Sequence, residues 1–166
     1  MDISLVRPSI YNSTLRLPIK LQSVEEAREE ICRALEGHQL PKQLIYRICL
    51  SLDEALSNAI EHGSTNIESA VELAYRIEND GIEISITDFG GFVFNPEYFE
   101  RLATVKDWGA GGRGILLIKS YMDEVYFVFT PHQSTRVIMR KKFPAPTPVE
   151  THETPASSEN KPVKSA

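Results

Sequence analysis

A carboxylate and a carboxamide lie one helical turn apart in the segment SLDEALSNAIEHG, at Glu54 and Asn58. Because a helix turns by about 100° per residue, Glu54, Asn58 and Glu61 share one side of the predicted helix. The apolar residues of the same helix gather on the opposite side: Ile45, Ile48, Leu52, Leu56 and Ala59. The carboxylate can accept a proton from a hydroxyl group, and the amide oxygen can bind Mg²⁺, which prefers hard oxygen ligands. An ordinary solvated helix face has the same pattern and is the alternative.

A second candidate site follows a strand pattern, at Thr87-Asp88-Phe89-Gly90-Gly91. An ionised Asp88 can accept a hydrogen bond from an exocyclic amine such as that of adenine. Gly90 and Gly91 would allow a flat ring to approach the backbone. A solvent-exposed turn is the alternative, because Asp and Gly are common turn residues.

A glycine-rich segment precedes an apolar stretch that is predicted to form a helix over 115–121. The segment consists of Gly109, Ala110, Gly111, Gly112, Arg113 and Gly114. Unpaired N–H groups and the helix dipole favour phosphate at a helix N-terminus, so the segment is a candidate anion site. It matches G-x-G-x-x-G, but no apolar strand leads into it, which argues against a dinucleotide-binding fold. A flexible loop is the alternative.

The predicted elements come in runs: one strand, two helices, two paired strands, two more helices on either side of the glycine-rich segment, and two paired strands. They are a strand over 14–21, helices over 24–35 and 41–63, strands over 70–77 and 82–86, helices over 96–103 and 115–121, and strands over 124–130 and 135–140. This order predicts an α+β fold, a two-layer sandwich in which a mixed, mostly antiparallel sheet carries its helices on one face. Pro18 marks the first strand as an edge or bulged strand. Ser23 and Glu26 predict a capping box at the first helix.

Composition indicates one domain followed by a tail. The chain has 166 residues, of which 42% are hydrophobic, and its formal net charge of −5 argues against a nucleic-acid or membrane partner. We expect an N-terminal extension over 1–13, a domain over 14–143 and a disordered tail over 144–166. No signal peptide or membrane span is evident, and Cys32 and Cys49 fit reduced core residues, so a cytoplasmic protein is expected.

The order and separation of these motifs resemble a known family, the ATP-binding anti-sigma factors that are serine/threonine protein kinases. These belong to the GHKL superfamily of ATPases, which have the Bergerat fold. EALSNAIEHG (54–63) is similar to the N box of the family, ITDFGGF (86–92) to its first glycine box and GGRGILLIKSYMDEV (111–125) to its second. STRVIMRKK (134–142) resembles the closing strand, and the resemblance covers about residues 15–142.

The resemblance implies a role for each matching residue. Glu54 would be the general base, Asn58 the Mg²⁺ ligand and Asp88 the carboxylate that reads adenine. The residues expected to contact the nucleotide are Asn58, Asp88, Gly90, Gly91, Gly109, Gly111, Gly112, Arg113, Gly114 and Thr135. His62 occupies the histidine-like position that follows the N box, and a helix C-terminal cap is its alternative role.

The resemblance also implies an activity and partners. With ATP and Mg²⁺, the protein would phosphorylate a serine or threonine of an anti-sigma-factor antagonist that has a sulfate-transporter/anti-sigma-antagonist (STAS) domain. It would sequester a sigma factor when the antagonist is released, which makes the circuit a partner switch. A homodimer through the sheet, with 15–21 as its edge strand, is implied as well.

Two other functions stay open. The first glycine box lacks one spacing residue, or Phe92 replaces its last glycine, which favours a catalytically silent, nucleotide-binding switch that controls a non-sigma partner. The intact Glu54 and Asn58 favour catalysis. A histidine-kinase ATP-binding domain is a further alternative, but no helical hairpin with a phosphoacceptor His precedes the motifs. The short segment 93–108 is expected to be an ATP lid, in which Trp108 either closes on the nucleotide or packs on the core.

Overall fold

The computed structural model describes residues 11–62, 70–90 and 113–145. Within these ranges the elements are β1 (Tyr11–Pro18), α1 (Leu21–Glu36), α2 (Lys42–His62), β2 (Ala70–Glu78), β3 (Gly81–Asp88), α3 (Arg113–Tyr121), β4 (Glu124–Thr130) and β5 (Ser134–Lys142). The five strands form one sheet in the order β1-β2-β3-β5-β4. The predicted α+β fold is confirmed, although every pair of neighbouring strands in this sheet is antiparallel rather than mixed.

One face of the sheet forms the core with the helices. Side chains at alternate positions of β2 and β3 are buried, as predicted: Val71, Leu73, Tyr75, Ile77, Ile82, Ile84 and Ile86. The apolar side of α2 contributes Ile48, Leu52, Leu56 and Ala59 to the same core. Since α2 packs on β2 and β3, its other side carries Glu54 and Asn58 away from the middle of the sheet. No helix in the described part of the chain is both long and apolar enough to cross a membrane.

The start of α1 differs from the prediction. The helix begins at Leu21, and the preceding Lys20 makes no side-chain capping bond. Ser23 lies inside the first turn, where its buried hydroxyl donates a hydrogen bond of 2.7 Å to the carbonyl of Pro18. The predicted capping box is therefore wrong, because the Ser23 hydroxyl binds the end of β1 instead of a helix N–H group. The strand β1 is an edge strand, as Pro18 predicted, and Pro18 is its last residue.

Two cross-links join α1 to α2. Cys32 and Cys49 are bonded to each other, with their Cα atoms 6.5 Å apart, so the prediction of two reduced cysteines was wrong. One turn away from the cysteine in each helix, Arg28 of α1 and Asp53 of α2 form an ion pair of 3.0 Å. Both cross-links arise because the two helices pack against each other, and the periodicity of a single helix does not show which positions meet. The two cross-links hold α2 against α1 up to Asp53, the residue before Glu54.

The segment Met122-Asp123-Glu124-Val125, part of the stretch similar to the second glycine box, links the start of β4 to the end of β5. The Asp123 carboxylate accepts hydrogen bonds from the Lys142 backbone N–H at 2.7 Å and from Lys141 Nζ at 2.8 Å. Partial burial raises the pKa of Asp123, but the hydrogen bonds from Lys141 and Lys142 together lower it below its ordinary value. This motif therefore stabilises the sheet at the end opposite to Asp88.

Candidate functional site

The carboxylate of Glu54 lies against the first turn of α3. A Cβ atom placed at Gly114 would overlap Glu54 Oε2, and it would lie 3.3 Å from Glu54 Cδ and 3.5 Å from Glu54 Cβ. Gly114 is also buried. Because glycine lacks this atom, the N-terminal turn of α3 can approach the carboxylate. The structure thus brings together a candidate base and a residue of the glycine-rich segment.

Asn58 follows Glu54 by one turn on α2, and both side chains are half-buried. The described part of the chain contains no group of three or more His, Cys, Asp or Glu residues that could hold a metal ion. A single amide oxygen beside a carboxylate fits Mg²⁺, which keeps several waters and commonly binds through one or two protein ligands plus substrate phosphates. The donor set is therefore compatible with a metal ion that arrives with a phosphate ligand.

Asp88 and Thr135 are paired directly across β3 and β5. Residues paired in this way share one face of the sheet, with Cβ atoms about 4.5–5.5 Å apart. Asp88 and Thr135 share the helix-covered face, because Ile86 and Val137, the buried pair two positions further into the sheet, belong to the core. The two predicted base-binding residues therefore come together, and the contact of α2 with β3 puts them on the same side of the sheet as Glu54.

The Asp88 carboxylate is buried, with 7% of the residue exposed. Its Oδ1 accepts a hydrogen bond of 3.1 Å from the backbone N–H of Gly90. Burial raises the pKa of Asp88, and the hydrogen bond from Gly90 reduces this rise without cancelling it. A buried carboxylate oriented by a backbone amide is suited to binding a hydrogen-bond donor of a ligand.

The structure does not describe all of the predicted site. Gly91, Gly109, Gly111 and Gly112 lie outside the described residues, as do Phe92, Trp108, the predicted helix over 96–103 and the tail over 146–166. Arg113 is the first residue of α3 and is exposed. His62 is the last residue of α2.

Two features beside the site were missed from the sequence. Arg136 Nε donates a hydrogen bond of 2.9 Å to the Thr87 hydroxyl, one position before Asp88. The Oδ1 atom of Asp53 is buried without a hydrogen-bond partner. Burial raises the pKa of Asp53, the charge of Arg28 lowers it and that of Glu54 raises it, with a net rise. The effect of Glu54 on the pKa of Asp53 could have been expected from the sequence, because the two acids are adjacent. The contact of Thr87 with Arg136 could not, because it depends on the register of β3 with β5.

Replacing Gly114 with Ala is expected to lower activity that depends on Glu54 by about 10²-fold, because a displacement of about 1 Å can have an effect of this size. The new methyl group would displace the Glu54 carboxylate. Gly37→Ala is the matched control, since a Cβ there would meet only the Ala34 carbonyl oxygen, at an ordinary 3.6 Å. Rates measured at saturating substrate test the prediction. A Gly114→Ala variant as active as Gly37→Ala would show that the contact is not part of the site.

Comparison with known proteins shows the family to which the chain is similar. A model of the histidine kinase-like ATPase domain matches residues 17–141. The anti-sigma F factor of Clostridium botulinum (strain Eklund 17B) is 30% identical over 139 residues, which cover 81% of this chain and 97% of that protein. The anti-sigma F factors of Clostridium acetobutylicum and Pasteuria penetrans are 32% identical over 96 residues and 33% identical over 98 residues, covering 57% of this chain and 67% and 65% of those proteins. The family resemblance of the motifs is confirmed, and the chain belongs to the histidine kinase-like ATPase domain family.

Proposed function

We propose that this protein is an ATP-dependent anti-sigma factor and protein serine/threonine kinase. The observation that carries the proposal is the contact between Glu54 and Gly114, which puts a candidate general base beside a helix N-terminus suited to phosphate. Membership of an ATPase family supports nucleotide binding. The names of the relatives support a sigma factor as the partner.

Two parts of the chain would bind the nucleotide. Asp88 would accept a hydrogen bond from the exocyclic amine of adenine, with Thr135 and the backbone at Gly90 and Gly91 beside the ring. The segment Gly109–Gly114 and the first N–H groups of α3 would bind the phosphates. The terminal phosphate would then lie near Glu54, because Gly114, which lies against Glu54, belongs to the first turn of α3.

Glu54 and Asn58 of α2 would take part directly in phosphotransfer. The Glu54 carboxylate accepts the proton of a serine or threonine hydroxyl as the hydroxyl oxygen bonds to the γ-phosphorus and the bond to the leaving ADP oxygen breaks. Mg²⁺, when bound, would offset the negative charge on the phosphate oxygens, and Asn58 would be its protein ligand. The N–H groups at the start of α3 hold the phosphoryl oxygens while this charge spreads.

The proposed protein substrate is a STAS-type antagonist of the anti-sigma factor. Phosphorylation adds negative charge to the antagonist and would release it, so that the kinase can sequester a sigma factor in the cytoplasm. A homodimer through the sheet is part of the same proposal. β1 is an edge of the described sheet, and edge strands can pair with a second chain.

A catalytically silent switch with a non-sigma partner is the second candidate function. The spacing of Gly90-Gly91-Phe92 favours it, because the first glycine box departs there from the pattern of the family. Such a protein would bind nucleotide and change partners without transferring phosphate.

Labelled ATP separates the two candidates. The protein is incubated with γ-labelled ATP, Mg²⁺ and the STAS-type protein that co-purifies with it from its native cell. We expect label on a serine or threonine of that protein and binding of a sigma factor after the antagonist is phosphorylated. Nucleotide binding without transfer of label would contradict the kinase and support the silent switch.

A further inference from the structure

The hydrogen bond between Arg136 and Thr87 lies directly behind the candidate base-binding pair. Thr87 and Arg136 are paired across β3 and β5, next to the pair of Asp88 and Thr135. Neighbouring residues of a strand point to opposite faces. Asp88 and Thr135 therefore face the helices, whereas Thr87 and Arg136 lie on the face that carries no described helix.

This bond is not an ordinary surface contact. Thr87 is only 2% exposed, although Arg136 is exposed, so the hydroxyl accepts its hydrogen bond away from solvent. The donor is a guanidinium group, and hydrogen bonds from charged groups are the stronger ones in proteins. Removing the donor would leave a buried hydroxyl without this partner.

The bond between Thr87 and Arg136 lies near the end of β3 that carries Asp88. β3 ends at Asp88, and the pair of Asp88 and Thr135 is the last pair that β3 forms with β5 at this end. Strand ends open more readily than the middle of a sheet. The bond of Thr87 with Arg136 links the two strands one pair further in and so opposes their separation at the site.

We propose that Thr87 and Arg136 are positioning residues for the nucleotide base. Their bond keeps Asp88 and Thr135 at the separation that the base requires, and neither residue touches the nucleotide. Binding groups must be held to within about 0.5 Å of the productive geometry, which a frayed strand end does not allow. The proposal rests on the proposed nucleotide site at Asp88 and adds the support that this site needs.

The same two strands provide a matched control at their other end. Arg140 Nε donates to Glu83 Oε2 on β3 at 2.6 Å, and another guanidinium nitrogen of Arg140 donates to Glu124 Oε2 on β4 at 3.1 Å. This bond also joins β5 to β3 through an arginine, but it lies far from Asp88 along the ladder. Arg140→Gln should therefore lower the free energy of unfolding without affecting the binding of the nucleotide base.

Calorimetric titration with ATP and Mg²⁺ tests the proposal on five variants. We expect Thr87→Val and Arg136→Gln each to raise the Kd about 5- to 10-fold, as expected for one lost hydrogen bond, and the double variant to be no weaker than the worse single one. Thr87→Ser keeps the hydroxyl and should bind like the wild type. Arg140→Gln should lower the melting temperature but leave the Kd unchanged. The KM for ATP should rise in Thr87→Val, with kcat at saturating ATP preserved.

Two results would overturn the proposal. One is a lower melting temperature of Thr87→Val and Arg136→Gln with an unchanged Kd, which indicates a purely structural role. The other is an equal loss of affinity in Arg140→Gln. Wild-type protein that binds no nucleotide would overturn the proposed function itself, so titration of the wild type comes first and separates the two failures.

Discussion

Glu54→Gln is expected to lower phosphotransfer to the antagonist about 10²- to 10⁴-fold, the usual contribution of a general base. Glutamine has nearly the same shape as glutamate, so it preserves the packing against Gly114. Its amide does not accept the proton of the attacking hydroxyl. Nucleotide binding should therefore stay close to that of the wild type. Single-turnover transfer from labelled ATP, together with a calorimetric Kd, measures both quantities on the same protein.

Glu61→Gln is the matched control for this variant. Glu61 lies about two turns further along the same side of α2, and it is exposed. Its replacement removes the same charge from the same helix without changing the group that contacts Gly114. Transfer by Glu61→Gln should match the wild type. An equal rate in Glu54→Gln and the wild type would refute the role of Glu54 as base.

Asp88→Asn is expected to weaken ATP binding about 10- to 100-fold, the loss expected when a hydrogen bond to a charged group is removed. The melting temperature of the nucleotide-free protein should stay the same or rise. Burial raises the pKa of Asp88, which means that the fold favours the neutral carboxyl. The ionised form therefore costs stability, increasingly so as the pH rises through the folded pKa, and the neutral amide removes this cost. Calorimetry and thermal melting measure the two effects separately.

The pH dependence of binding gives a second test of Asp88. The carboxylate accepts a hydrogen bond from an amine more strongly than the neutral carboxyl group does, so affinity should fall as the pH drops through the raised pKa of Asp88. The loss should begin at a higher pH than an ordinary aspartate would give. Asp88→Asn should lack this component of the pH profile. Identical profiles in the two proteins, or undiminished affinity in Asp88→Asn, would contradict the role of Asp88.

The periodic parts of the fold could be predicted from the sequence. The apolar side of α2 and the alternation along β2 and β3 each reflect burial on one face, and this burial dominates their energetics. The turn at Asn79-Asp80 could be predicted because an Asp-Gly pair favours a tight hairpin turn. For the same reason, the side of α2 that carries Glu54 could be identified before any tertiary contact was known.

Contacts between distant segments could not be predicted in the same way. The pairing of Cys32 with Cys49 depends on how two helices are placed, and the bond of Arg136 to Thr87 depends on the register of β3 with β5. The start of α1 was misplaced because Ser23 binds the carbonyl of Pro18, a tertiary contact that local capping preference does not include. The motifs indicated which residues are candidates for the site, and only the fold showed that Glu54 lies against Gly114.

Joint binding of a nucleotide and Mg²⁺ by Glu54, Asn58, Asp88 and the start of α3 is the proposal on which the others depend. Isothermal titration of the full chain with ATP, in the presence and absence of Mg²⁺, tests it most directly. We expect saturable binding that is strengthened by Mg²⁺ and weakened by Asp88→Asn. Absence of any heat with millimolar ATP and Mg²⁺, together with an unchanged melting temperature, would contradict it.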